Sequence, residues 1–198
     1  MPNVACIILA AGRSTRMGAN KLIADVEGKP MVRRVAEAAL ASRAHPVLAV
    51  TGHQAAEVRT ALAGLEIIFV DNPDYADGLS TSLKAGIRAL PPGVEGVLVA
   101  LGDMPRIIAA HLDQLTAAFA KSEGSAIVVP THVGKRGNPV LWPRAAFAEM
   151  LQLDGDAGAR RLLAAHAGRV REVDLGTDAI FLDVDTPEAL AALREQRG

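Results

Sequence analysis

The 198-residue chain sets 21 lysines and arginines against 22 aspartates and glutamates, a formal charge of -1, so no global field draws it to nucleic acid or to an anionic membrane. Half of its residues are hydrophobic and only 3% are aromatic, which implies an aliphatic core built on helices and strands within one domain, residues 1–198. The lone Cys6 excludes an intrachain disulfide, and no apolar stretch reaches the roughly 18 residues of a bilayer span, so a cytoplasmic protein with neither membrane nor nucleic-acid partner is expected.

Val4 to Ala10 is an uninterrupted apolar run, the pattern of a strand buried on both faces of a parallel sheet. It empties into AGRSTRMGANK, where Gly12 lets the main chain approach an anion and Arg13, Arg16 and Lys21 supply three cations within nine positions. A polyanion such as a triphosphate suits that loop; a strand-to-loop turn with solvated cations is the alternative. Leu22 to Val26 reads as a short strand, Glu27-Gly28-Lys29-Pro30 as a turn, and Pro30 to Ser42 as a helix burying Met31, Val32, Val35, Ala39 and Leu40. Pro46 to Thr51 is a second core strand, Gln54 to Ala63 a helix and Glu66 to Val70 a third strand.

Asp71 to Gly78 is dense in turn formers, and Leu79 to Leu90 returns to helix with Ser80, Thr81 and Ser82 near its start. Gly96 to Leu101 is the clearest central strand and delivers Gly102-Asp103-Met104-Pro105. His111 to Ala120 follows as helix and Ser125 to Pro130 as strand. Thr131 to Asn138 is polar and carries Lys135 and Arg136, while Pro139 to Trp142 reads as a short strand, antiparallel or forming a hairpin over the sheet edge. Helices over Arg144 to Leu151 and Ala157 to Ala167 flank an Asp154-Gly155-Asp156 turn. Arg169 to Leu175 and Ile180 to Val184 are late strands, and Thr186 and Pro187 open the last helix. The alternation implies an α/β protein with a doubly wound, mostly parallel sheet and a small antiparallel excursion. Ligands of such sheets lie beyond the carboxyl ends of the strands.

Several side chains there carry chemistry. Asp103, at a strand end, either holds a magnesium ion bridging substrate phosphates or turns the chain. Asp183 and Asp185 share a face if their strand persists; one of them, Asp185 by preference, completes the metal site or caps the last helix. Ser80, Thr81 and Ser82 either read a base, sugar or phosphate or act as plain caps. Gly137-Asn138-Pro139 is the constrained end of a polar loop able to close over an anionic second substrate. His45, His53, His111, His132 and His166 have no ligand-like spacing, and no serine or cysteine is placed as a nucleophile. Trp142 reads as a core anchor.

Taken together, LAAGRSTRMGANKL, NPDYADGLSTSL, LGDMP, RGNPVLW, LDGDAGARRLL and DVDTPEAL resemble the signatures of the MobA-like nucleotidyltransferases, most closely their molybdenum cofactor cytidylyltransferase branch. The six stretches occur in the family's order along nearly the whole chain. The resemblance implies a Rossmann-like three-layer fold, and transfer of a nucleotide from CTP to a phosphorylated pterin acceptor with release of pyrophosphate. It implies that Ala10, Ala11, Gly12, Arg16, Lys21, Gly78 and Ser82 bind the nucleotide, with Arg16, Lys21 and Asp103 acting on its phosphates. Gly137, Asn138 and Pro139 would meet the acceptor, and Asp103 with Asp183 or Asp185 would hold Mg2+. LAAG, where guanylyltransferase relatives typically show LAGG, favours CTP over GTP. A molybdoenzyme or its chaperone is an implied partner. The alternatives are another phosphorylated acceptor, GTP as donor, or a non-catalytic nucleotide-binding maturation factor.

Overall fold

The computed structural model describes residues 1–12, 20–155, 158–184 and 186–195. Strand β1 (Val4–Ala10) is buried along its whole length. Val4, Cys6, Ile8 and Ala10 pack into one apolar layer, and Ala5, Ile7 and Leu9 into a second on the opposite face. A strand covered on both faces has no use for polar alternation, which is why the run is continuous. Burial pushes the Cys6 thiol up to about 12.

After a 3-10 turn at Lys21–Ile23, β2 (Asp25–Val26) and β3 (Lys29–Pro30) form a short antiparallel ribbon leading into α1 (Met31–Leu40). There follow β4 (Val47–Thr51), α2 (Ala55–Ala61), β5 (Ile68–Asp71), α3 (Leu79–Arg88), β6 (Gly96–Leu101), α4 (Ala109–Lys121) and β7 (Ile127–His132). The chain continues through β8 (Lys135–Arg136), β9 (Val140–Pro143), α5 (Phe147–Met150), α6 (Gly158–Ala165), β10 (Val170–Asp174) and α7 (Pro187–Glu195). Among the described residues the strands form an eight-stranded sheet in the order β10-β7-β9-β6-β1-β4-β5, with β8 paired to β7. β1 is parallel to β4 and β6, β4 to β5, and β7 to β10. One layer gathers Val35 of α1, Val58 of α2, and Leu115 and Phe119 of α4; the other gathers Leu83 and Ile87 of α3, Met150 of α5 and Leu162 of α6. A third cluster, Val26, Met31, Val184, Leu190 and Leu193, ties the ribbon to α7. The architecture is the mixed α/β, mostly parallel arrangement that the alternation implies.

Three local expectations are corrected. Leu22 to Val26 is a 3-10 turn and a two-residue strand, because the Asn20 side chain caps the turn and leaves only Asp25–Val26 extended. β9 follows the antiparallel alternative and not the hairpin over the sheet edge: it lies inside the sheet, antiparallel to both β6 and β7, with Val97 opposite Trp142 and Val128 opposite Leu141. Its four residues are all buried, and an apolar strand of that kind is stabilised only where both neighbours cover it. Ile180 to Val184 is not a strand. The Thr177 hydroxyl accepts from Ala179 N–H at 3.2 Å and closes a 3-10 turn at Asp178–Ile180, after which the chain runs irregularly across the strand ends. The shared-face argument for Asp183 and Asp185 therefore lapses, and Asp185 lies outside the described residues, as does Arg16.

Two outcomes follow from this packing. A Cβ on Gly96 would stand 2.6 Å from Cε1 of Phe119, so Gly96→Ala is expected to lose about 1–3 kcal/mol in urea unfolding. Phe119→Leu removes the clashing ring atoms, and adding it to Gly96→Ala is expected to show a favourable coupling in the double-mutant cycle. Iodoacetamide is expected to leave Cys6 untouched in the folded protein at neutral pH and to label it once urea unfolds the chain, because only the thiolate reacts.

Candidate active site

Parallel pairing of β4, β1 and β6 brings their following loops to one edge. Leu9 stands opposite Leu101, and Gly102 N–H donates to the Leu9 carbonyl at 3.0 Å. His53 N–H donates to the Ala11 carbonyl at 3.2 Å, and Asn72 N–H to that of Thr51 at 2.8 Å. Ala10, Ala11 and Asp103 are thus neighbours, with Gly12 next along the chain. A Cβ on Gly102 would sit 3.1 Å from the Leu9 carbonyl oxygen, so the missing side chain permits the close approach that aims Asp103 outward.

Across this edge Lys21 Nζ meets Asp103 Oδ2 at 2.6 Å, with the two side chains 14% and 15% exposed. The cap by Asn20, whose Oδ1 accepts from Leu22 N–H at 3.1 Å, fixes the turn from which Lys21 reaches. Burial drives the Asp103 carboxyl above the ordinary carboxylate range. The charge and hydrogen bond of Lys21 and Asp103's own backbone N–H oppose the rise, while the negative charge of Asp183 adds to it. Val184 N–H donates to the Asp103 carbonyl at 3.1 Å, which holds the exposed Asp183 alongside.

Asp103 Oδ1 is buried and has no hydrogen-bond partner among the described residues. A hard anionic oxygen left open beside a second carboxylate fits a divalent cation. Among the described residues no group of three or more acidic, His or Cys side chains gathers to hold a metal. A cation such as magnesium needs only one or two protein carboxylates, its shell being completed by substrate phosphates and water.

Beside the pair opens a cavity of about 390 Å³, walled by Leu79, Ser80 and Leu83 of α3, by Leu153 and Leu163, and by Gly137 and Asn138. Two of the three expected acceptor residues are therefore brought to it, and Pro139 follows through a cis peptide. Gly137 N–H donates to the Pro130 carbonyl at 2.9 Å and Asn138 N–H to that of Ile180 at 3.0 Å. Any Cβ on Gly137 would run into the Ile180 carbonyl, so this loop tolerates no side chain there. Lys84 Nζ reaches Asp154 Oδ1 at 2.9 Å and ties α3 to the turn that forms the opposite rim.

Gly78, at φ 108, precedes α3, whose first residues Leu79 and Ser80 line the cavity. The expected nucleoside contact Ser82 lies beneath the cleft. Its hydroxyl is buried and accepts from Asn72 Nδ2 at 3.0 Å, while the same amide donates to Thr81 Oγ1 at 2.9 Å. Ser80, one position pair earlier on the helix, is the hydroxyl residue that lines the cavity. In the sequence Asn72 is one turn former among many. The signal it carried was its place directly after a strand and ahead of three hydroxyl residues, where a buried amide can join loop to helix.

Residues 6–170 match the MobA-like NTP transferase domain. The chain is 30% identical over 197 residues to the molybdenum cofactor cytidylyltransferase of Escherichia coli strain K12, covering 99% of this chain and 98% of that protein. It is 32% identical to the purine catabolism protein PucB of Bacillus subtilis strain 168, over 98% and 97% of the two chains. Its fold superposes on the crystal structure of Rv0371c from Mycobacterium tuberculosis H37Rv with a TM-score of 0.84 at 26% identity, covering 98% of each. With the domain match running from β1 into β10 and spanning Lys21, Asp103 and Asn138, the chain belongs to the MobA-like NTP transferase family and is a nucleotidyltransferase.

Proposed function

We propose that the protein transfers the cytidylyl group of CTP to the phosphate of a molybdopterin-type acceptor, releasing pyrophosphate. The observation that carries this reading is the half-satisfied carboxylate of Asp103. It is paired to Lys21 on one oxygen, open on the other, and set beside a cavity that holds Gly137 and Asn138. The likeness to the Escherichia coli cytidylyltransferase and the Ala11 of LAAG support CTP and the pterin acceptor.

In this reading the main chain at Ala10, Ala11 and Gly12 lies against the nucleotide, and Arg16 and Lys21 grip its phosphates. Gly78 and the Asn72–Ser82 pair hold the nucleoside side of the cleft, with Ser82 acting through Asn72. Asp103 and Asp183 or Asp185 hold the metal. When bound there, magnesium neutralises charge on the triphosphate and on the departing pyrophosphate. Gly137, Asn138 and Pro139 position the acceptor, whose phosphate oxygen attacks the α-phosphorus while the bond to the β-phosphate breaks. That oxygen is already ionised, so no side chain need remove a proton, in keeping with the absence of a placed nucleophile or base in the sequence.

A second reading keeps the transfer and changes the acceptor. The cavity walls contributed by Leu79, Leu83, Leu153 and Leu163 are aliphatic, which favours an acceptor with an apolar body. Pyrophosphate release with magnesium, each NTP and a panel of phosphorylated acceptors separates the two. CTP with the pterin acceptor is expected to be fastest, and preference for GTP would overturn the base assignment. Asp103→Asn is expected to lower kcat by about 10²–10³ with the fold retained; unchanged turnover would remove Asp103 from the site. The site needs Asp103 ionised, and its carboxyl lies above the usual range. Activity should therefore fail, as pH drops, earlier than for an ordinary carboxylate. Lys21→Met removes a charge that favours the ionised form, so the acid limb of kcat/KM should move to higher pH.

A further inference from the structure

The side-chain amide of Asn20 is not used by any role so far described. Asn20 is 6% exposed. Its side-chain Oδ1 accepts from Leu22 N–H at 3.1 Å, and its main-chain carbonyl accepts from Ile23 N–H at 3.3 Å. The oxygen is committed to the turn, while Nδ2 is buried with no hydrogen-bond partner among the described residues. A buried donor left unmade costs about 1–3 kcal/mol, and Ser or Asp caps a helical turn as well as Asn without exposing the molecule to that loss. Capping therefore accounts for the oxygen of Asn20 but not for the nitrogen.

Among the described residues, the other buried side-chain atom in this condition is Asp103 Oδ1. Both adjoin Lys21, Asn20 through the chain and Asp103 through the 2.6 Å ion pair. One is an unmade acceptor and the other an unmade donor, and together they match a cation carried by an anion. The carboxylate oxygen takes the metal, and the amide takes an oxygen of the phosphate bound to it.

The geometry points to Asn20 as a further nucleotide-binding residue, whose Nδ2–H donates to a phosphate oxygen of the triphosphate held by Lys21. This rests on the nucleotide reading of the site. Asp at position 20 would turn a negative group toward the polyanion, and Ser would keep the cap while falling short of the phosphate, so Asn serves both tasks.

Asn20→Ser and Asn20→Asp test the assignment, because both retain a good capping residue, and a thermal melt of each checks that it is folded at the titration temperature. Isothermal titration with magnesium and either CTP or inorganic tripolyphosphate reads binding without turnover or acceptor. Loss of a hydrogen bond to a charged oxygen should weaken both ligands by about ten-fold in Asn20→Ser, and more in Asn20→Asp. Variants that bind both ligands as tightly as wild type would overturn the role of Asn20 while leaving the nucleotide site standing. A wild type that binds tripolyphosphate but not CTP would keep Asn20 and remove the cytidine assignment, and one that binds neither would overturn both.

Discussion

The site is organised by the burial of one carboxylate at the end of a central strand. Taking Asp103 out of water disfavours its charge, and Lys21 offsets this on one oxygen only. The surrounding structure keeps that partial pairing in place. Gly102 lets β6 run against β1 without a Cβ between them, the Asn20 cap fixes the turn behind Lys21, and Val184 N–H holds the Asp103 carbonyl. A fully paired carboxylate would be a structural ion pair and nothing more. Leaving one oxygen open costs native stability and keeps a binding position for a cation.

The segment from Asp178 to Val184 links the two halves of the cleft. At its start the Ile180 carbonyl accepts from Asn138 N–H and closes off the space over Gly137, and at its end Val184 grips the backbone of Asp103. The Gly137–Asn138 loop and the Asp103 carboxylate are therefore referenced to the same short stretch of chain, whose far side packs through Val184 on Leu190 and Leu193 of α7. Since effective in-line transfer depends on placing two polyanions within a fraction of an ångström, a shared brace is worth more than two independent ones.

How much of this was legible in the sequence follows from what each feature depends on. β1 and β6 were readable because two-sided burial writes itself into the residues as unbroken aliphatic runs, and Asp103 was readable because it directly follows one of them. Lys21 shows the limit: its charge was evident, but the 2.6 Å contact with a residue 82 positions away depends on the pairing of β1 with β6. For β9 the antiparallel direction was one of two legible alternatives, but its place inside the sheet is decided by its neighbours, Val97 and Val128, and not by its own four residues. Ile180 to Val184 has the composition of a strand, yet the cap by Thr177 draws its start into a 3-10 turn at Asp178–Ile180. Ser82 was drawn to the cleft by motif position, whereas helical periodicity turns it toward Asn72 and leaves Ser80 on the cavity side.

The two sides of the cleft differ in how firmly they are held. Around Lys21 and Asp103 the geometry is pinned by strand pairing and caps, so it can change little without loss of the sheet edge. Around the cavity the walls are aliphatic side chains of α3 and the rim at Leu153, joined across by the Lys84–Asp154 ion pair, in which Asp154 is 91% exposed. An exposed pair of that kind contributes about 0–1 kcal/mol, and aliphatic walls can be exchanged for others of similar volume at small cost.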